Sequence, residues 1–249
     1  MRALFSTLLL LALWEAVATL GPFPRFLFPP VTEVGAALVR LLRDGTLLAA
    51  TLKSLSRLGQ GYAVTAALGI PLGLLLARFP RFRAFLKPAV MGLQALPSIT
   101  WLPLALLWFG LSESAILFVV VMGSLLAVAI ATEDAVASIP PILLDVSGTL
   151  GIRGPRLYAG VLLPAALPGI LTGLKLGWSF AWRALMAGEL LFVSGGLGQL
   201  LTLGRDLLDV AQVLAVMLAI IAVGVAVERL LFRTLEQRVR RRWGLVPTA

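Results

Sequence analysis

Six apolar runs recur along this 249-residue chain, joined mostly by short polar stretches. They lie at about 3–20, 52–77, 87–109, 114–131, 165–188 and 211–231, each near the roughly 20 residues that carry a helix across a bilayer. Inside hydrocarbon a helix satisfies all its own backbone hydrogen bonds, which an open sheet or an irregular loop does not. The runs therefore predict an all-α integral membrane protein with about six transmembrane helices, one membrane domain over 1–249. Charge density agrees. Only 13% of residues are charged, about half the share in a soluble domain, so lipid must cover much of the surface. The first run has features of a secretory signal, with Arg2, an apolar stretch and then Ala16 and Ala18. Trp14 and Glu15 interrupt it, however, and everything downstream is membrane-like too, so a retained span is the expectation.

The absence of cysteine and histidine excludes disulfides, thiol nucleophiles, Cys/His zinc sites and imidazole acid–base chemistry. The net charge of +9 sits at the ends of apolar runs. That placement suits anionic lipid headgroups and argues against a nucleic-acid partner. One set of joints, with the two termini, holds 13 Lys and Arg residues and the opposite set holds six. The asymmetry puts both termini and the 132–164 loop in the cytoplasm of a multi-pass protein. The segment from Gly21 to about Ala50 then lies outside. It opens on the turn GPFPRFLFPP and continues as a short amphipathic helix with Val34, Leu38, Leu41 and Leu42.

The longest polar interruption, about 132–164, is amphipathic rather than simply hydrophilic. Glu133, Asp134, Asp145, Ser147, Arg153 and Arg156 alternate with Ile139, Ile142, Leu143, Val146, Leu150, Ile152 and Leu157. A mere connector needs no such periodic apolar residues; short helices that dock on a soluble partner do.

Within that loop Asp145, Val146, Ser147, Gly151, Val161, Leu163 and Pro164 stand in the order and spacing E-A-A-x3-G-x9-I-x-L-P. This resembles the cytoplasmic EAA motif of binding-protein-dependent ABC importer permeases, with Asp for the acid and Val146 and Ser147 replacing the two alanines. SLSRLGQGYAVTAALGIPLGLLLARF, LPSITWLPLALLWFGL and GLKLGWSFAWRALMAGEL extend the likeness to the nitrate/sulfonate/taurine branch of that family. The resemblance implies a type I importer permease (MetI-like) fold and a transport subunit rather than an enzyme. It implies a second permease copy as a homodimer, two ABC ATPase subunits and a periplasmic or lipid-anchored solute-binding protein, in a bacterial inner membrane. It further implies a coupling helix over about Pro140–Leu150 that lies in a groove of the ATPase. Asp145, Ser147, Gly151, Ile152, Arg153, Arg156 and Pro164 are the coupling residues it marks, with Gly151 making the turn and Pro164 opening the next span. The phosphate-cradling pattern G-x4-G-K-[ST] is absent; no cofactor is expected in this chain, and ATP and Mg²⁺ belong to the partner ATPase.

Two stripes are candidates for the translocation pathway. On the fifth run Lys175, Trp178, Trp182, Met186 and Glu189 share one helical face, with Arg183 one position off it. A lysine at that depth faces a cavity or a partner carboxylate, or snorkels to the membrane edge. On the third run Gln94, Ser98 and Trp101 share a face around Pro97, and three prolines (Pro88, Pro97, Pro103) are incompatible with one unbroken helix. Non-helical backbone at that depth must be covered by protein or water. Small residues four apart, Gly69 and Gly73, then Gly169, Gly173 and Gly177, suit close packing within the subunit or at a subunit interface. Two rival classes fit less well. An intramembrane enzyme would have Ser124 or Ser194 as nucleophile with only Lys175 as base, and an ATP-independent channel or carrier would not need the 132–164 segment.

Overall fold

The computed structural model describes residues 2–22, 24–191 and 195–242, and among them every regular element is helical. In chain order these are α1 (Arg2–Leu20), α2 (Val31–Arg43), α3 (Thr46–Arg78), α4 (Pro80–Gln94), a 3-10 turn (Ser98–Trp101), α5 (Leu102–Phe109), α6 (Glu113–Ala137) and α7 (Pro141–Thr149). There follow α8 (Pro155–Leu157), a π turn (Tyr158–Leu162), α9 (Leu163–Leu191), α10 (Leu197–Asp206), α11 (Val210–Val227), a second π turn (Glu228–Phe232) and α12 (Arg233–Arg242).

Among the described residues, four stretches are long and apolar enough to cross a membrane: Thr46–Arg78, Glu113–Ala137, Pro155–Leu191 and Val210–Val239. They cover the second, fourth, fifth and sixth apolar runs. The third run is a pair of helices, Pro80–Gln94 and Ser98–Phe109, bent by 99°. The first run is α1, Arg2–Leu20, whose apolar part includes Leu8–Leu20. The all-α membrane fold expected from the apolar runs is thus present, with the third run broken into a bent pair.

The chain gathers into two compact units. One holds residues up to Ser56 with Glu189–Gly224, the other Arg57–Gly188 with residues from Val225 onward. In the first unit, the residues that interrupt the opening apolar run tie α1 to α2. Trp14 Nε1 donates to the Pro29 carbonyl (3.2 Å), and the Glu15 carboxylate accepts from Thr32 Oγ1 (3.1 Å) and Thr32 N (3.4 Å). Glu15 thereby takes up a backbone donor in the first turn of α2 that would otherwise lack a partner. α2 buries Val34, Ala37 and Leu41 and leaves Leu42 exposed. It turns into α3 through Gly45, at φ +76°. There the Asp44 carboxylate accepts from Thr46 Oγ1 (2.7 Å) and Thr46 N (3.0 Å), bonds that hold it below the usual carboxylate range.

The second unit is organised around α6. Ser112 caps it by accepting from Ala115 N (3.3 Å), and Glu113 in the first turn suits the helix dipole. Both glycine ridges press on this helix. A Cβ at Gly69 would lie 3.1 Å from Leu125 O, and one at Gly73 only 2.4 Å from Ala129 O. Cβ atoms at Gly169, Gly173 and Gly177 would meet Ala135, Ala131 and Val128 at 2.4–2.6 Å. α3 and α9 therefore approach α6 as closely as backbone allows, and the small residues serve packing inside the subunit. Arg57, 3% exposed, is held by a bidentate pair to Glu113 at 2.5 Å.

Candidate functional site

The break in the third apolar run follows from Pro97. Proline has no N–H to donate and pushes the preceding residue out of helical geometry. α4 accordingly ends at Gln94, Pro97 is extended (φ −57°, ψ 138°), and the chain resumes as a 3-10 turn. Pro103 falls in the first turn of α5, where its missing donor costs nothing. The bend leaves a cavity of about 310 Å³ between Leu93–Ser98, the middle of α6 (Met122, Gly123, Leu126, Ala127) and Phe180 with Arg183 on α9. Gly123 is what lets these walls converge: a Cβ there would lie 2.8 Å from Ala184 Cβ and 3.1 Å from Ser98 Cβ.

The lining is mixed, about as polar as apolar, and three of its side chains are polar: the Gln94 amide, the Ser98 hydroxyl and the Arg183 guanidinium. Arg183 Nε donates to the Ser179 carbonyl (3.2 Å), and the guanidinium carbon lies 4.7 Å from the Phe180 ring centroid. Among the described residues no carboxylate pairs with it. A cation set against an aromatic face gives the cavity a positive field and, with Nε engaged by Ser179, four remaining N–H donors for a planar or tetrahedral anion.

Gln94, Pro97, Ser98 and Arg183 are thus brought together, while the other expected pathway residues lie elsewhere. Trp101 packs edge-on against Phe118 (6.3 Å). Lys175 pairs with Glu228 in the second π turn (2.8 Å). Trp178 is buried between Tyr62 (5.5 Å) and Phe232 (5.7 Å), and Tyr62 donates its hydroxyl to the Leu174 carbonyl (2.5 Å). Trp182 is half-buried and is not among the cavity residues. Glu189, fully buried in the first unit, accepts from Ser54 Oγ (2.7 Å) and Gly198 N (3.0 Å), while Ser54 Oγ accepts from Leu197 N (2.9 Å). That carboxylate caps α10. Ser124 is bonded to Thr65 (2.9 Å) and Val120 O (2.7 Å), and Ser194 lies outside the described residues.

Because Lys175 and Glu228 neutralise each other, Lys175→Ala and Glu228→Gln should each lower the melting temperature of the purified protein. The double variant should be no less stable than the worse single one. Independent, additive losses in a thermal melt would show that the two side chains do not act as a pair.

The 132–164 loop is a short lever with both ends packed. Ile139 sits with Leu162, Ala166 and Ile170 in one apolar cluster, so the segment between is suspended from a fixed base. α7 spans Pro141–Thr149 within the expected 140–150, and exposes Ile142, Leu143, Leu144, Val146 and Leu150. So dense an apolar surface on ten residues, α7 and its C-cap Leu150, needs a partner to cover it. The helix ends in a Schellman motif. Ile152 N donates to Ser147 O (2.9 Å), Gly151 N to Gly148 O (3.1 Å), and Gly151 adopts φ +70°. Asp145, Arg153 and Arg156 are exposed, and none has an ion pair among the described residues.

Three expected loop contacts differ in the structure. Ser147 is turned inward, its hydroxyl donating to Leu143 O (2.6 Å), and Ile139 is spent on the protein's own core. Pro164 stands in the first turn of α9, but helical backbone already begins at Pro155, after Gly154 at φ +59°, and runs into α9 through the π turn. A π turn widens the helix and accommodates the missing proline donor. Gly154 was not singled out by spacing; the Gly-Pro pair at 154–155 is the signal that marks it.

Residues 69–241 match the family described as the binding-protein-dependent transport system inner membrane component. A putative ABC transporter permease of Methanocaldococcus jannaschii is 32% identical over 89% of this chain and 84% of its own length. The taurine transport system permease protein of Escherichia coli is 30% identical over 92% and 85%. In three dimensions the chain is similar to the MetNI methionine ABC transporter in an inward-facing conformation, with a TM-score of 0.67 at 19% identity over 79% of this chain and 95% of that one. With the all-helical MetI-like fold, the Pro97 cavity and the suspended α7 lever on one chain, the protein belongs to the family of binding-protein-dependent ABC importer permeases, transport subunits that leave ATP hydrolysis to a separate polypeptide.

Proposed function

We propose that this permease carries a small oxyanion, such as a sulfonate, across a bacterial inner membrane, and that the Pro97 cavity is a station on its path. The observation that carries this reading is Arg183: a guanidinium at the Pro97 cavity, with no carboxylate paired to it among the described residues, beside the Gln94 amide and Ser98 hydroxyl. Arg183 is exposed rather than buried, so its guanidinium is open to a passing anion. The taurine specificity named for the E. coli relative is consistent with that chemistry, since taurine presents a sulfonate.

In this reading two copies of the chain pair and two ATPase subunits bind ATP and Mg²⁺ beneath them. A periplasmic or lipid-anchored binding protein delivers solute from above. The Lys/Arg asymmetry supports cytoplasmic termini and a cytoplasmic α7. Closure of the ATPases would draw the two α7 helices together and turn the spans outward.

The test is uptake into proteoliposomes holding the permease, its ATPase and its binding protein. ATP-dependent accumulation of a labelled sulfonate, nitrate or bicarbonate is the expected result, with no flux when the ATPase is omitted. Accumulation confined to cationic or neutral solutes would refute the anion, and solute flux without the ATPase would favour a passive channel.

A further inference from the structure

Away from the cavity, the densest charge cluster lies at the end of α6. Glu133 is completely buried, with 0% exposure. Among the described residues its carboxylate is paired only with α4: Arg83 Nε lies 2.7 Å from Oε1 and Lys87 Nζ 2.5 Å from Oε2. The contacts are ion pairs only: neither oxygen accepts a well-directed hydrogen bond from any group among the described residues. Lys87 also reaches Asp134 at 3.4 Å. The negative charge of Glu133 is therefore compensated wholly by a different helix, and separating α4 from α6 would strand it in an apolar setting.

The position of this cluster in the chain matters as much as its charge. Toward the loop, α6 ends four residues later at Ala137, Ile139 joins the apolar cluster at the loop's base, and α7 begins at Pro141. Toward the cavity, Lys87 is two helical turns from Gln94, where α4 breaks. We infer that the Arg83–Lys87–Glu133 cluster is the joint that transmits motion of the α7 lever to the broken helix lining the cavity, making Glu133 a positioning residue for coupled transport. A buried ion pair suits this task because it holds two elements in one register and tolerates little slippage. Hydrophobic packing alone would let α4 slide. The inference rests on the ATP-driven reading above.

The readout is the ratio of solute taken up to ATP hydrolysed by the complete importer in proteoliposomes. Glu133→Gln keeps the shape and removes the charge. Uptake per ATP should fall by about tenfold or more, the loss expected when a coupling interaction is removed. ATPase co-purification and the hydrolysis rate should hold within about twofold, the size of effect expected of a residue outside the nucleotide site. Lys87→Gln should act the same way, and the Glu133→Gln/Lys87→Gln double variant should be no worse than either alone, because both changes break one contact. An unchanged ratio, additive losses, or a fall in uptake matched by loss of assembly and melting temperature would each overturn the inference. Absence of ATP-driven uptake by the unmodified importer would instead remove the importer reading, and this inference with it.

Discussion

Gly151→Trp is expected to abolish uptake while the purified permease remains folded and monodisperse. The residue sits at the left-handed position of the Schellman motif that ends α7, at φ +70°, where a side chain costs about 1–2 kcal/mol. A Cβ at this position would meet nothing within 4 Å, so the chain's own packing does not resist the change. The resistance comes from the backbone and, in the assembled importer, from whatever covers the exposed leucines and isoleucine of α7. Each 1.4 kcal/mol is about a tenfold change in an equilibrium, so the backbone strain alone lowers the fraction of correctly docked levers substantially, and an indole on the docking face adds to it. Gly151→Asn separates the two contributions, because asparagine tolerates the left-handed region and is small. Near-normal uptake is expected for Asn, loss of uptake with ATP hydrolysis no longer tied to it for Trp. Full uptake by the Trp variant would remove α7 from the coupling path.

Much of this architecture was legible in the sequence because the bilayer leaves few choices. Apolar runs of sufficient length had to be helices, and α3, α6, α9 and α11 lie where the second, fourth, fifth and sixth runs predict. Pro97, closely followed by Pro103, marked the broken run, although a proline alone does not decide it: Pro71, Pro88 and Pro168 sit inside α3, α4 and α9. The EAA-like spacing placed α7 to within a residue or so, and Gly151 was legible as its turn.

What periodicity leaves open is the identity of the residue opposite. It put Lys175, Trp178, Trp182 and Glu189 on one face of α9, yet along that face lie an acid from the end of the sixth run, an aromatic cluster, and the first turn of α10 with Ser54. A helical wheel gives a direction, and partners such as Glu228, more than fifty residues away, are supplied only by the fold. Arg183, one position off that stripe, reaches the cavity for the same reason. The Glu133 cluster was hidden differently. In sequence Glu133 reads as a solvated loop acid, and only the extension of α6 to Ala137 buries it. The start of the fifth span is displaced for a further reason. The Leu-Pro pair at 163–164 looks like a helix start, but the π turn at Tyr158–Leu162 lets the helix run through from Pro155.

Arg183→Ala should be the most damaging single change at the cavity. The substitution removes the one fixed positive charge there and leaves Gln94 and Ser98 in place. Hydrogen bonds to charged groups contribute about 1.5–3 kcal/mol, which corresponds to roughly a 10- to 100-fold loss of anion uptake at limiting solute. Charge reversal by Arg183→Glu goes further, since an acid at the cavity repels the passing anion, and uptake should fall to background. Arg183→Lys keeps the charge but loses the planar fork and the stacking on Phe180, so it should fall between wild type and Ala. The ordering Arg, Lys, Ala, Glu is therefore a signature of charge at the pathway. Packing damage would follow side-chain size instead and would place Lys near Arg, with Ala and Glu unordered by sign. Arg183 makes no ion pair within the described protein and its only hydrogen bond there is to the carbonyl one turn back, so the fold has little to lose from any of these changes. ATPase co-purification and melting temperature should stay near wild type across the series. If they collapse, or if Arg183→Ala transports anions at the wild-type rate, the cavity is not on the solute's path.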